Sequence, residues 1–132
     1  MKELFDVHCH MVPGVDDGAA DLEESLAMLK MQHEDGVRKI IITPHYRRRM
    51  FETPAKKVHE QFLKLQEAAK KEYPDMSLYL GCELHSNMDL QDILEKRKYV
   101  TMAGSSYVLL EFSEGDSAQH IRERVYNVLS CG

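Results

Sequence analysis

The feature that most constrains the fold is a repeated alternation of short apolar runs with amphipathic helical patterns. The runs are short and rich in aliphatic and β-branched residues, which predicts strands over residues 4–10, 37–43, 76–83 and 107–112. A helical pattern follows each run, and its predicted N-caps are Asp21, Thr53, Asp89 and Ser117. Such alternation is typical of a parallel sheet with right-handed crossovers.

Three of the helical patterns carry a clear apolar stripe that we expect to be buried. The first helix is predicted to end at Gly36 in a left-handed turn, and the second to place Pro54 in its first turn and run to about Tyr73. The predicted stripes are Leu22, Leu26, Leu29 and His33; Val58, Phe62, Leu65 and Ala69; and Ile121, Val125 and Val128.

The number of β-α units bears on the architecture of the 132-residue chain. We expect a single domain over residues 1–132, built of α/β units. A complete (β/α) barrel usually takes ~250 residues, so these units amount to the first half of a distorted (β/α) barrel that stops before its remaining strands. A small open α/β sandwich, complete in itself, is the alternative. The residues at the strand ends favour the half barrel.

Histidines and acids stand where the predicted strands end. One face of the first strand carries His8 and His10, because alternate side chains of a strand point the same way. In parallel α/β folds the carboxyl ends of the strands share one rim, where sites form. Imidazoles with several carboxylates and no thiol ligand suit manganese, iron or zinc in a site of two or more ions. The candidate ligands are His8, His10, Asp17, His45, Glu83 and Glu111.

Composition excludes several other classes of protein. The formal net charge of −5 and the lack of a long basic stretch argue against a nucleic-acid surface. No apolar run approaches the roughly 18 residues of a membrane span, and no signal-peptide core opens the chain. Three widely spaced cysteines fit reduced thiols, and hence a cytoplasmic protein, better than a disulfide framework.

Five motifs give the chain a resemblance to a known family. In order and spacing it resembles the PHP (polymerase and histidinol phosphatase) family, and most closely its bacterial protein-tyrosine phosphatases of the CpsB/YwqE type from capsule and exopolysaccharide operons. The resemblance covers the whole chain and extends to residues 50–54 and 108–113. The motifs are Asp6-Val7-His8-Cys9-His10, Val15-Asp16-Asp17-Gly18, Thr43-Pro44-His45, Gly81-Cys82-Glu83 and Leu110-Glu111-Phe112.

The resemblance implies a manganese-dependent phosphatase in which metal-activated water attacks phosphorus. Its usual target is the phosphotyrosine tail of a membrane-associated tyrosine kinase that controls polysaccharide export. By this likeness two or three ions are held: one by His8, His10 and Glu83, a second by Glu83 and Glu111, and a third by Asp17 and His45. Arg48, or a neighbour in the run from Arg47 to Arg49, is the candidate phosphate contact, and a solvated charge run is the alternative.

A cysteine-nucleophile phosphatase is excluded, because no arginine stands at the required spacing after any cysteine. The corresponding positions hold Val15 and Met88, and only Gly132 follows Cys131. We expect Cys9 and Cys82 to face the helices as small apolar residues. His33, His59, His85 and His120 are not predicted as ligands. For His85 we expect a surface position, and a place at the rim of the site is the alternative.

Longer members of the family continue with strands that supply a further histidine and a later aspartate and histidine, which this chain does not contain. We therefore expect weak metal affinity and little or no turnover from these 132 residues. The unpaired sheet edge is expected to be covered by self-association or by a complementing second half, unless the sequence is a fragment of a longer protein.

Two other functions remain open at this point. One is another hydrolase of the PHP family, of the histidinol-phosphate phosphatase or exonuclease type. The other is a non-catalytic half barrel that serves as an interaction module.

Overall fold

A computed structural model describes residues 2–132, and within that range strands and helices alternate as predicted. The strands are β1 (Leu4–Asp6), β2 (Val37–Ile42), β3 (His45–Tyr46), β4 (Ser77–Leu80), β5 (Glu83–His85) and β6 (Leu109–Glu111). The helices are α1 (Leu22–Glu34), α2 (Ala55–Glu72), α3 (Leu90–Lys96) and α4 (Ala118–Leu129), with a short 3₁₀ turn at Met102–Gly104.

The strands form two parallel three-stranded sheets, ordered β1-β2-β4 and β3-β5-β6. The same segments of chain cross from the first sheet to the second, and backbone hydrogen bonds continue through the crossing. Gly81 N–H donates to Ile42 O at 2.8 Å, and Glu83 N–H donates to Pro44 O at 2.9 Å. The two sheets are therefore successive parts of one bent parallel ladder, which confirms the predicted α/β half barrel.

All four predicted strands are longer than the observed ones. The strand expected over residues 4–10 ends at Asp6, and the one expected over 37–43 ends at Ile42. The one expected over 76–83 is divided into β4 and β5, and the one expected over 107–112 comprises only Leu109–Glu111. Between β2 and β3, Pro44 has no N–H to donate to the ladder. Between β4 and β5, a Cβ on Gly81 would lie 2.9 Å from Met102 Sδ, so glycine permits the close approach of the 3₁₀ turn.

The apolar core lies in two clusters, one behind each sheet. The larger packs β2 and β4 against α1 and α2, and it includes the whole predicted stripe of α2 (Val58, Phe62, Leu65 and Ala69). The smaller packs β5 against α3, with Leu84 and Leu90 almost fully buried. None of the candidate ligands belongs to either cluster.

Local signals placed most helix ends correctly. The carboxylate of Asp21 accepts from Glu24 N–H at 2.8 Å, Asp89 and Ser117 cap α3 and α4, and Gly36 is left-handed with φ +92°. Thr53 is not a cap, since its hydroxyl donates to Val15 O at 2.9 Å and Pro54 takes the N-cap position.

Two predicted stripes are less buried than expected. In α1, Leu22 is 36% exposed, whereas Ser25 is fully buried with its hydroxyl donating to Met11 O at 2.6 Å. In α4, Ile121 and Val125 are 36% and 39% exposed. Among the described residues α4 makes its main packing contact with α3.

None of the described helices is both long and apolar enough to cross a membrane.

Candidate metal centre

The fold brings all six candidate ligands into one cluster. His8 and His10 follow β1, His45 begins β3, Glu83 begins β5 and Glu111 ends β6. The register pairs His45 directly with Glu83. The sixth candidate, Asp17, lies in the loop that follows His10. Parallel pairing thus converts four distant stretches of sequence into one cluster.

Glu83 is the centre of the cluster. Its Oε2 atom lies 3.3 Å from His8 Nε2, 3.1 Å from His10 Nε2 and 3.2 Å from His45 Nδ1. The side chain of Glu83 is only 10% exposed. A single carboxylate oxygen is therefore surrounded by three imidazole nitrogens at nearly equal distances.

His45 extends the cluster towards the two remaining acids. Its Nδ1 atom is also 3.4 Å from Glu111 Oε2, and its Nε2 atom is 3.5 Å from Asp17 Oδ1. Donor atoms that lie within 4.8 Å of one another fall into three sets: His8, His10 and Glu83; His10, Asp17 and His45; and His45, Glu83 and Glu111. The first set matches the ion assigned to these three residues by the sequence resemblance.

The donor atoms have the spacing of ligands to a shared cation. Donors about 2.0–2.2 Å from one ion, at tetrahedral or octahedral angles, lie about 3.0–3.5 Å from each other. The contacts of Glu83 Oε2 with the three imidazoles, at 3.1–3.3 Å, fall in this range. Yet the geometry makes no hydrogen bond to Glu83 Oε2, Glu111 Oε2 or His45 Nδ1, all of which are buried. Because unpaired buried polar atoms are costly, the residues fit a divalent cation that would satisfy them.

Asp16 was missed by the sequence reasoning, which assigned a role only to its neighbour Asp17. The Oδ2 atom of Asp16 accepts from His10 Nδ1 and from His45 N–H, both at 3.0 Å, and Oδ1 accepts from Gly18 N–H at 2.9 Å. A proton held at His10 Nδ1 leaves Nε2 with the lone pair that faces Glu83. Asp16 therefore sets the tautomer of one candidate ligand and the backbone position of another.

The pKa values of this pair shift in opposite directions. The hydrogen bond to Asp16 raises the pKa of His10 above its ordinary value. Burial acts to raise the pKa of Asp16, but the hydrogen bonds from His10, His45 and Gly18 outweigh burial, and the pKa lies below its ordinary value. The spacing of Asp16 and Gly18 was the available signal, because an Asp side chain often accepts from the N–H two residues on.

The arginines after His45 lie in different environments. Arg48 is exposed, while the guanidinium of Arg47 turns towards the cluster, with Nη1 3.8 Å from Glu111 Oε1. Arg47 Nη2 also donates to Ser113 Oγ at 3.4 Å. The assignment of Arg48 as a phosphate contact stays a prediction.

The surface position expected for His85 was wrong. This side chain is 3% exposed, and its Nε2 lies 3.0 Å from Ser113 Oγ. The alternation of β5 was the available signal, since His85 stands two residues after Glu83 on the same strand face. The other histidines lie apart from the ligand sets: His33 contacts Asp75 and His59 stacks on Tyr99. His120 approaches Ser86.

Cys82 is buried in the smaller apolar cluster and Cys9 packs against the larger one, as expected. Burial raises the pKa of each thiol to about 12. Neither cysteine is a member of the three donor sets formed by the described residues.

Comparison with known proteins decides the family. The sequence model of the family described as "Capsular polysaccharide synthesis, CpsB/CapC" matches residues 4–132. The chain belongs to this family. Membership agrees with the resemblance seen in the five sequence motifs.

Relatives within the family are named tyrosine-protein phosphatases. The chain is 40% identical over 129 residues to tyrosine-protein phosphatase CpsB of Streptococcus pneumoniae, covering 98% of this chain and 53% of that protein. It is 27% identical over 125 residues to tyrosine-protein phosphatase YwqE of Bacillus subtilis, covering 95% and 49%.

A solved structure extends the match to the fold. It belongs to a study described as crystal structures of YwqE from Bacillus subtilis and CpsB from Streptococcus pneumoniae, "unique metal-dependent tyrosine phosphatases". It superposes with a TM-score of 0.84 at 27% identity, over 96% of this chain and 51% of that one. The chain thus spans about half the length of the relatives that it matches.

Proposed function

We propose that the chain carries the first part of the active site of a metal-dependent protein-tyrosine phosphatase, a hydrolase of phosphoric monoesters. The observation that carries this proposal is the buried, unpaired Glu83 Oε2 atom, with three imidazole nitrogens 3.1–3.3 Å away. The names of the relatives in Streptococcus pneumoniae and Bacillus subtilis support the substrate class.

We assign the metal ligands as His8, His10, Asp17, His45, Glu83 and Glu111, and manganese as the cofactor, with two or three ions bound. Iron and zinc would suit the same imidazole and carboxylate donors. When bound, the ions would neutralise the charge of a phosphate ester and activate water for its hydrolysis.

The chain's own residues prepare the site for that chemistry. Asp16 holds a proton at His10 Nδ1 and so keeps Nε2 directed at the cluster. We assign the phosphate contact to Arg48 or its neighbour Arg47, since a guanidinium can bind phosphate oxygens with two parallel hydrogen bonds.

The proposed partner is a protein tyrosine kinase that regulates capsular or exopolysaccharide synthesis, with its phosphotyrosines as substrate. The family description, which names capsular polysaccharide synthesis, supports this partner. A cytoplasmic location is part of the same proposal, and the isolated, unpaired cysteines support it.

Metal titration tests the ligand assignment. We expect the chain to bind Mn²⁺ in isothermal titration calorimetry, and Glu83→Gln to weaken binding by about a hundredfold, because three imidazole nitrogens surround Glu83 Oε2. Glu95→Gln, which removes an exposed acid of α3, is the matched control. Equal Mn²⁺ binding by Glu83→Gln and the wild type would contradict the assignment.

Substrate selection tests the reaction class. With excess Mn²⁺ we expect little turnover, and we expect that turnover to favour a phosphotyrosine peptide over histidinol phosphate. It should vanish with a chelator or in Glu83→Gln and persist after thiol alkylation, because no cysteine joins the cluster. Hydrolysis that survives chelation, or a preference for histidinol phosphate, would reject the proposed function. p-Nitrophenyl phosphate hydrolysis at the rate of a full-length family member would refute the expectation of low activity.

A further inference from the structure

A partly buried hydrogen-bonded chain adjoins Glu111 and is not explained by metal ligation. It runs from His85 through Ser113 to Arg47. His85 Nε2 is 3.0 Å from Ser113 Oγ, and Arg47 Nη2 is 3.4 Å from the same oxygen. The guanidinium of Arg47 then reaches Glu111, with Nη1 3.8 Å from Oε1.

The tautomer of His85 follows from its other hydrogen bond. The backbone N–H of Asn87 donates to His85 Nδ1 at 3.1 Å, so Nδ1 must carry the lone pair. The proton of the neutral ring is therefore on Nε2, which donates to Ser113. At 3% exposure, His85 has little freedom to turn or to exchange this partner for water.

Ser113 is fixed from two sides. Its backbone N–H donates to Asp116 Oδ2 at 2.8 Å, which anchors the turn after β6. Its hydroxyl oxygen accepts from both His85 and Arg47, which uses the two acceptor positions of a hydroxyl. The oxygen is thus held where it can orient the guanidinium.

Arg47 stands next to the metal centre without being a ligand. The two oxygens of Glu111 have different neighbours: Oε1 faces Arg47, and Oε2 lies 3.4 Å from His45 Nδ1. A guanidinium has five N–H donors, and the contacts to Ser113 and Glu111 leave some of them for an oxyanion. The side chain is 29% exposed, so an anion at the rim can reach it.

We propose that His85 is a positioning residue, which acts through Ser113 to hold Arg47 beside Glu111 as the contact for substrate phosphate. This inference rests on the proposed function, and it prefers Arg47 to Arg48 for that contact. His85 itself touches neither substrate nor metal.

The first experiment measures binding of inorganic phosphate to the Mn²⁺-loaded chain by calorimetry. We expect Arg47→Ala to weaken phosphate binding about tenfold or more, because a charge-assisted hydrogen bond is lost, while Mn²⁺ binding changes by less than about threefold. Arg122→Ala, which removes an exposed arginine of α4, is the charge-matched control. Undetectable phosphate binding by the wild type, or unchanged binding by Arg47→Ala, would overturn the inference.

The second experiment separates positioning from a general structural role. His85→Gln can place an amide donor near the position of Nε2, so we expect phosphate binding close to wild type, whereas His85→Leu should lose about tenfold. The double variant of His85→Leu with Arg47→Ala should bind no more weakly than Arg47→Ala alone. Additive losses would show that His85 acts independently of Arg47 and would overturn the inference. Ser113→Ala, at a partly exposed position, replaces His85→Leu if that variant fails to fold.

A third measurement needs no metal and therefore keeps this inference apart from the proposed function. Nitrogen-15 NMR of the metal-free chain should show His85 protonated at Nε2, and Ser113→Ala should broaden or shift the guanidinium signal of Arg47. A proton on Nδ1, or an unchanged Arg47 signal, contradicts the positioning role. Failure of the wild type to bind Mn²⁺ contradicts the proposed function, and these NMR signals still decide the role of His85.

Discussion

At the scale of single residues, the position of His10 shows how a ligand is prepared by a neighbour that is not a ligand. Its Nδ1 atom is bonded to Asp16, and only Nε2 remains to face Glu83. The same carboxylate holds the backbone of His45, so one side chain orders parts of two elements. Its ordering role depends on charge, because all three groups around Asp16 are N–H donors.

Asp16→Asn is expected to lower Mn²⁺ affinity by about tenfold to a hundredfold, the usual cost of losing a partner behind a metal ligand. The amide keeps the shape of the side chain but offers one acceptor where the carboxylate offers two. Calorimetric titration measures the effect, with Asp35→Asn at the exposed end of α1 as control. Equal affinity in the two variants would show that Asp16 does not order the site.

Gly18 has a steric role that is distinct from conformational freedom. A Cβ at this position would lie 2.1 Å from His10 O, and the neighbouring Ala19 N–H donates to that same oxygen at 3.1 Å. Since backbone cannot move aside cheaply, Gly18→Ala should destabilise the fold by about 3 kcal/mol. Gly36→Ala is the contrasting variant: nothing lies within 4 Å, and only its left-handed φ of +92° should cost about 1–2 kcal/mol. Urea unfolding measures both, and a smaller loss for Gly18→Ala than for Gly36→Ala would reject the steric explanation.

At the scale of elements, α2 separates its two faces more clearly than the other helices. Val58, Phe62, Leu65 and Ala69 are buried at helical spacing, while Leu63 is 45% exposed. The helix lacks a side-chain N-cap, so its stability comes from the buried stripe.

Two leucines of α2 therefore provide a matched pair. Leu65 is 0% exposed, and Leu65→Ala should lower the free energy of unfolding by about 2–5 kcal/mol through lost contacts and the cavity left behind. Leu63→Ala removes the same atoms from the exposed face and should change it by about 0.5 kcal/mol or less. Chemical denaturation followed by circular dichroism compares them, and similar losses would show that the assigned faces are wrong.

At the scale of the whole molecule, the three cysteines differ in their exposure to solvent. Cys82 is buried in the smaller cluster and Cys9 is partly buried against the larger one, whereas Cys131 is exposed near the end of the chain. Burial raises the pKa of Cys9 and Cys82 to about 12, from an ordinary value of 9.0. Thiolate is scarce at both positions at neutral pH, and reagents have poor access to them.

We expect one thiol to react rapidly with Ellman's reagent at pH 8 and all three after denaturation, since only Cys131 is exposed. The sign of the pH effect on stability follows from the raised pKa values. Below pH 9 both states keep these thiol protons, and between pH 9 and 12 the unfolded chain releases protons that the folded chain retains. Stability should therefore fall as pH rises through this window. Rapid reaction of all three thiols in the native protein would contradict the enclosed positions of Cys9 and Cys82.

Local sequence patterns determined the elements and the set of candidate ligands. Alternating strand and helix patterns predicted the parallel α/β fold, and strand ends marked the six residues that the fold brings together. These features are readable because they depend on neighbours in sequence: the period of a strand, a cap such as Asp21, a glycine after a helix. The single-domain assignment for residues 1–132, self-association and a complementing second half stay predictions.

Only the tertiary structure decided how those residues meet. The bend at Pro44 and Gly81, the role of Asp16, and the burial of His85 against Ser113 all depend on contacts between residues far apart in the chain. The exposure of the apolar face of α4 was also decided by the tertiary structure, because a helical stripe shows that a face is apolar but not which element covers it. Sequence fixes the chemistry that each side chain offers, while distance and burial, which set the electrostatic and steric energies, exist only once the chain has packed.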